Sequence, residues 1–507
     1  MSAEPAVIPL SSLRYTDRSR IEDGRGFCPR ARLISYHLGP DGYGLQKKGT
    51  RLPLMTGIAA HEGLAPILGW CCGYFESPDR VEAQLATGQA VPDAVVRAAV
   101  RAAQAQYWKT VEARGYAYLE NEPGVQEITT EQNYLIEGLI WAWVLEVLPE
   151  VLRRGRIVEV EQEGVYVLDC TCGLGDGILG EAEHVSRGCE GLGLQQRPDF
   201  ILETWHTKEL EYHEFKTTGM DSPSFQDKWE VSIQTFSAIL DVERRLGKHV
   251  QTFYIHGLIK GKREGEYNPG TKKRDGIIRQ QSVFCYGYRK PAMPPMEAEE
   301  WRASYEWVDE EGKTRRLSHA YSKAPVWELP DAMLMGTDIV SKAELWVKWI
   351  DPAQRRKALI LVGPLSRHTA MVEGFLEETI AEEARWAGVV WQLYDRYVAL
   401  AERIAQLDPA NPIDPAQVPW NWVWIHPEYQ SLLNQLAPRS YACRRFGKRH
   451  ACQHETLCFY REGWEDPLGK GIYVARRPHH APELAQAVAR GLALPDAGLG
   501  ETEEDQD

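Results

Sequence analysis

The stretch Glu211-Tyr212-His213-Glu214-Phe215-Lys216-Thr217-Thr218 constrains this chain most, because it alternates as a β-strand does. A period of two puts Leu210, Tyr212, Glu214 and Lys216 on one face. The acid and the lysine therefore look at one point in space. A second alternating run, Arg197-Pro198-Asp199-Phe200-Ile201-Leu202, lies just upstream. Pairing the two as a hairpin brings Asp199 to the same point. Two carboxylates and one ammonium converging there suit a hard divalent cation and the water it activates. A lone Glu-x-Lys on an exposed strand is usually a surface pair, so its meaning depends on the surrounding residues.

The chain has 507 residues, too many for one ordinary core, and two or three substructures are expected. Its 43% hydrophobic content is enough for globular packing. No apolar run reaches about 18 residues, so no membrane span is expected. Met1-Ser2-Ala3-Glu4-Pro5 lacks the basic-then-apolar layout of a signal peptide, and the chain reads as cytoplasmic. A net charge of −14 argues against a protein coated in basic charge for non-specific DNA binding. It leaves room for a local basic groove. Part of the acidity sits in Glu501-Thr502-Glu503-Glu504-Asp505-Gln506-Asp507, which reads as a solvated tail.

Residues 57–72 read as a helix with His61, Leu64, Ala65 and Leu68 on its buried side. A lone histidine there is ordinarily a hydrogen-bonded core residue. Residues 80–150 look helical and carry no evident chemistry. Ile157 to Glu161 and Val165 to Leu168 look like a hairpin leading towards Asp199. Between them and Asp199, Gly175, Gly177 and Gly180 satisfy Gly-x-Gly-x-x-Gly after a strand, as a methyltransferase cofactor loop would. The following residues do not continue as strand-helix-strand, so a plain glycine-rich loop is the simpler reading.

A helix from about Phe225 to Leu246 carries the stripe Trp229, Ile233, Phe236 and Leu240, with Gln234 at its edge. Two strands follow, Gln251 to Leu258 and Ser282 to Tyr288. The loop between them holds Lys260, Lys262, Arg263, Lys272, Lys273 and Arg274, the most basic stretch of an acidic protein. Such a loop either meets DNA phosphates or is simply solvated. Residues 357–362 look like a strand, and Glu373 to Leu407 like a long amphipathic helix.

Ten cysteines are present. Cys443, Cys452 and Cys458 fall within 16 residues among polar neighbours, which is unlike core packing. Three readings remain open. Cys28 returns from the far end of the chain to complete a four-thiolate site for a 4Fe–4S cluster. Alternatively, His450 or His454 supplies the fourth ligand to a zinc ion. In the third, the thiols bind nothing.

The order Pro198-Asp199, Glu214-x-Lys216, with Gly57-x-x-x-His61-x-x-Leu64 before and Gln234 after, resembles the PD-(D/E)xK nuclease superfamily, in particular its RecB-like branch. One cysteine before the core and three behind it resemble CRISPR-associated exonucleases and the nuclease module of AddAB-type helicase–nucleases. The branch has a tyrosine four residues after the glutamine, where this chain has Ala238. The resemblance implies an α/β fold with a restriction-endonuclease-like core, a mixed central sheet flanked by helices, with added helical regions and the C-terminal cysteine cluster. It implies that His61, Asp199 and Glu214 hold Mg²⁺ or Mn²⁺, that Lys216 and Gln234 complete the catalytic set, and that a cluster on Cys28, Cys443, Cys452 and Cys458 staples the domain shut.

The expected organisation is an N-terminal segment at 1–56, the nuclease core at 57–290, an accessory insertion at 291–335, a helical region at 336–440, the cysteine cluster at 441–460 and an extension at 461–507. The expected function is metal-dependent hydrolysis of DNA, by an exonuclease mode. No helicase P-loop is present, so any unwinding would come from a helicase or recombination partner. The alternatives are a non-catalytic nucleic-acid or partner-binding module on the same fold and, less well supported, the methyltransferase.

Overall fold

The computed structural model describes residues 15–22, 28–47, 52–114, 125–168, 192–219, 221, 223–229, 232–268, 273–287, 306–308, 314–316, 325–329, 331–366, 368–408, 410–440, 452, 454–459, 467–469, 472–478 and 480–489. They form a mixed α/β structure. Its centre is a five-stranded sheet of Gly155–Val160 (β1), Phe200–Thr204 (β2), Leu210–Thr218 (β3), Val250–Ile259 (β4) and Leu359–Ser366 (β5), in the order β5-β4-β3-β2-β1. Strands β1, β2 and β3 are antiparallel neighbours, β3 and β4 run parallel, and β5 returns antiparallel to β4.

The principal helices are Pro29–Tyr36 (α1), Leu52–Tyr74 (α2), Asp93–Arg114 (α3), Val125–Glu146 (α4), Ile233–Leu246 (α5) and Thr369–Ala405 (α6). Helix α5 makes the crossover that a parallel β3–β4 pair requires. Alternation along the strands sorts the two faces. Phe200, Leu202 and Phe215 join the core built with α2, α3 and α4. Ile201, Leu210 and Tyr212 join Ala238, Ile239 and Val242 of α5. A third cluster packs Leu33 and Ile34 of α1 against Trp386 and Leu393 of α6 and against Leu457, Cys458 and Tyr473. No helix among the described residues is long and apolar enough to cross a membrane.

Several expectations are redrawn. Ile157 and Val165 do not belong to one hairpin: β1 pairs with β2, whereas Gly164–Leu168 pairs with Leu192–Gln196 in a second sheet. The chain turns between them at Glu161, whose φ of 45° leads it out of the central sheet. The helix expected over Phe225 to Leu246 is interrupted, with Ser232 in extended conformation as the N-cap of α5. Of the strand expected over Ser282 to Tyr288, the described residues 282–287 make only an isolated bridge, Tyr286 with Pro325. The central sheet also takes its edge strand β5 from beyond residue 290, the expected end of the core.

The N-terminal and C-terminal segments are knitted together. Leu45–Lys47 pairs antiparallel with Tyr473–Ala475. Arg20 and Glu483 form a fully buried ion pair at 2.5 Å. Ser35 Oγ lies 2.8 Å from His454 Nε2.

One buried acid gives the α4 layer a pH signature. Glu137 accepts a hydrogen bond from Ser341 Oγ. Burial pushes its carboxyl up to about 7 from 4.5, with Glu344 adding repulsion. A carboxyl raised in the folded state binds its proton more tightly there, so its contribution to stability is lost as pH rises through this range. Chemical denaturation of Glu137→Gln from pH 4.5 to 7 is expected to show a flatter profile than the wild type. The difference between the two should grow towards the upper end, and parallel profiles would contradict this account.

Candidate active site

In the β2–β3 ladder Phe200 faces His213 and Ile201 faces Tyr212. One step further along, Asp199 reaches the neighbourhood of Glu214, as the two alternating runs predict. Asp199 is buried. Its Oδ2 accepts the Phe215 backbone N–H. Its Oδ1 lies 3.3 Å from His61 Nδ1.

His61 arrives from α2, and Gly57 one turn earlier sets its approach. A Cβ at Gly57 would stand 2.7 Å from Thr217 Oγ1, so the missing side chain lets the helix press onto β3 beside Lys216. Thr217 Oγ1 cannot simply turn away, because it accepts from the buried Lys260 Nζ at 3.0 Å. Alanine normally stabilises a helix interior over glycine by roughly 0.5–1 kcal/mol. Here overpacking should outweigh that gain, and Gly57→Ala is expected to lower stability by about 1–2 kcal/mol. A denaturant midpoint equal to or above that of the wild type would overturn this reading of Gly57.

Glu214 is held at both oxygens. Oε1 accepts from Lys216 Nζ and from Gln234 Nε2. Oε2 accepts from the Tyr212 hydroxyl. Gln234 Oε1 in turn accepts from Arg18 Nη1. Arg18 belongs to the short helix Arg18–Glu22, which Ile21 anchors among Phe236, Leu240, Val372 and Phe375. Gln234 thus reaches Glu214 and Arg18.

The electrostatics follow from this packing. Burial opposes charge on both His61 and Asp199, but their mutual attraction and hydrogen bond outweigh it. The imidazole is raised and the carboxyl lowered. Burial, with Glu214 next to it, raises the Tyr212 phenol well above its ordinary value, which keeps it a donor. Glu161 lies in the same field. Burial pushes its carboxyl up to about 7, with Arg197 and His61 opposing and Asp199 and Glu62 adding.

The sequence had assigned no role to Arg18, Tyr212 or Glu161. Only Tyr212 carried a signal, its place two residues before Glu214 on the same strand face. Arg18 is 216 positions from Gln234, and nothing local marks it.

The basic loop is a hairpin, Arg263–Asn268 with Lys273–Gln280. Not all of its cations face solvent. Lys260 is buried and, chiefly through desolvation, lowered to about 8. Arg263 pairs with the buried Glu131 at 3.2 Å. Lys262 is exposed. Lys273 and Arg274 lie on the second strand of the hairpin, and Lys272 lies outside the described residues.

Cys28 is the N-cap of α1 and is buried, as is Cys458; Cys452 is half-buried. Burial first, and then Arg439, lower the Arg30 guanidinium, with Cys458 and Cys28 opposing, so both cysteines lie near Arg30. Cys443 and His450 lie outside the described residues, as does the glycine-rich run at 173–180. His454 is buried, and desolvation lowers it to about 3, so its ring is neutral. Its Nε2 meets Ser35 Oγ, while its buried Nδ1 has no hydrogen-bond partner among the described residues.

Among the described residues no group of three or more His, Cys, Asp or Glu side chains is arranged to hold a metal ion. The oxygens of Glu214 are turned to Lys216, Gln234 and Tyr212, and His61 is paired with Asp199 alone. In donor chemistry, one imidazole and two carboxylates still suit a divalent cation. No known family model and no curated protein matches the chain.

Proposed function

We propose that this chain is a metal-dependent nuclease that hydrolyses phosphodiester bonds in DNA, on a restriction-endonuclease-like core. One observation carries the reading: Asp199, Glu214 and Lys216 meet at one end of a mixed sheet, with His61 brought to Asp199 by α2 and Gln234 brought to Glu214 by α5. Five residues from four separate stretches of the chain converge there. A chance surface Glu-x-Lys pair would have no reason to recruit a buried aspartate, a histidine and a glutamine.

His61, Asp199 and Glu214 would hold Mg²⁺ or Mn²⁺, which when bound supplies a water of lowered pKa and neutralises charge on the scissile phosphate. Lys216 places an ammonium beside Glu214, where it stabilises negative charge developing on the phosphate. Gln234 and Tyr212 fix the two Glu214 oxygens. Ala238 stands where the RecB-like pattern has its tyrosine, and it shares an apolar cluster with Tyr212. The Tyr212 hydroxyl offers Glu214 a phenol from the strand.

Digestion of end-labelled linear and circular DNA, single- and double-stranded, with Mn²⁺, Mg²⁺ or EDTA, tests the proposal. Wild type should degrade DNA only with metal, and Glu214→Ala and Lys216→Ala should not. Loss of linear DNA alone indicates an exonuclease, and cleaved circles an endonuclease. Inactivity on every form would leave the binding-module alternative standing.

At the cysteines, a 4Fe–4S cluster on Cys28, Cys443, Cys452 and Cys458 is the reading the resemblance favours. One observation favours zinc. His454 is neutral, its Nε2 is tied to Ser35, and its Nδ1 is left without a partner, as suits a metal-ligating histidine. Metal analysis of the purified protein separates the two.

A further inference from the structure

Cations gather on the α5 side of Glu214 beyond what that carboxylate balances. Arg18 gives its hydrogen bond to a neutral acceptor, Gln234 Oε1. No carboxylate oxygen lies within 4.0 Å of its guanidinium among the described residues. Lys228 is exposed, and its Nζ stands 4.3 Å from the centre of the Trp229 ring. The Lys216 ammonium stands 5.9 Å from the centre of the same ring. Desolvation first, and then the charges of Lys216 and Arg18, lower the Lys228 pKa, with Glu22 opposing. The three positive groups therefore share one field.

Trp229 adds a second sign. It is buried, and its indole Nε1 has no acceptor among the described residues. A buried donor without an acceptor is costly to keep. Two ammonium groups on this ring, with Arg18 joined to Lys216 through Gln234 and Glu214, make sense if an anion completes the arrangement. Arginine suits phosphate through its planar fork, and lysine as a point charge.

We propose that Arg18, Lys228 and the Trp229 indole form a strand-binding cradle that takes a backbone phosphate of DNA next to the one that would face Lys216. This rests on the nuclease reading for its substrate class. The cradle is separate in sequence from the basic hairpin residues, and it would hold the strand in register with the reacting phosphate.

The test is binding without turnover. The full chain is titrated with a fluorescently labelled single-stranded oligonucleotide in EDTA, by anisotropy, across a range of salt concentrations. Each phosphate contact to a single strand contributes roughly 0.7 to the slope of log K against log salt. Arg18→Gln and Lys228→Gln should each lower the slope by about that amount and weaken binding severalfold. The exposed Lys228 makes its variant safe for folding, and thermal melting checks both. Lys248→Gln, at the Glu203 end of the strands, removes equal charge and should leave the slope nearly unchanged. An unchanged slope in the folded cradle variants, or an equal loss in Lys248→Gln, would overturn the cradle. Wild-type protein that does not bind the oligonucleotide would do the same. Binding with these slopes but no cleavage under Mn²⁺ would instead defeat the nuclease reading and leave the cradle in place. Cleavage with unchanged slopes would do the reverse.

Discussion

Lys216→Ala should lose about 10²–10³-fold of DNA hydrolysis while keeping nearly all of its stability. Glu214 keeps two further donors, Gln234 Nε2 and the Tyr212 hydroxyl, when the lysine is removed. Its carboxylate therefore stays in place, and what disappears is the ammonium proposed to face the phosphate. Glu214→Ala should be at least as inactive but also less stable, because three donors lose their acceptor together. Leaving buried partners unsatisfied costs about 1–3 kcal/mol. Glu214→Gln separates the two effects. It restores packing and some hydrogen bonding but not the negative charge, so stability should recover while activity does not. Wild-type rates in any folded variant of Glu214 or Lys216 would falsify the catalytic assignment.

Glu383→Ala should be among the most destabilising single substitutions in the protein. Arg32 on α1 and Glu383 on α6 form a bidentate pair at 2.7 and 2.6 Å, and both are buried. The Arg32 guanidinium also lies 4.6 Å from the centre of the Trp386 ring. Removing the acid leaves a cation that water cannot reach. Breaking a buried pair in this way costs about 3–5 kcal/mol. That is a large fraction of the roughly 5–15 kcal/mol by which a typical domain is stable. The double variant Arg32→Met with Glu383→Leu should recover most of the loss, because it removes both charges from the interior. Denaturant titration of the two proteins decides the point: a single variant as stable as wild type would mean that the pair contributes little.

The central strand of the candidate site was legible because its information is local. Glu214 and Lys216 lie two apart on one strand, and Asp199 precedes them on the neighbouring one. Gln234 was legible in place but not in partner, since helix spacing gives the face of a side chain and not what lies across from it. Non-local pairings were the blind spot. Residues 157–161 and 165–168 alternate equally well, and nothing within them says that they enter different sheets. The same holds for Lys260 and Arg263. A basic run looks solvated until Thr217 and Glu131 are seen to receive two of its members. Arg18 is the extreme case, with its partner more than two hundred positions away.

The ion pair of Arg20 with Glu483 spans 463 positions of sequence, and it sits in the same five-residue helix as Arg18. Translation at about 5–20 residues per second separates the synthesis of those two residues by roughly 20–90 s. Throughout that interval the buried Arg20 guanidinium has Asp17, at 3.8 Å, but not Glu483 as its carboxylate partner. A nascent chain can thus complete the central sheet, with Asp199, Glu214 and Lys216 on it, before the Arg20–Glu483 pair beside Arg18 can close. The order of synthesis makes that pair one of the last contacts the helix can close.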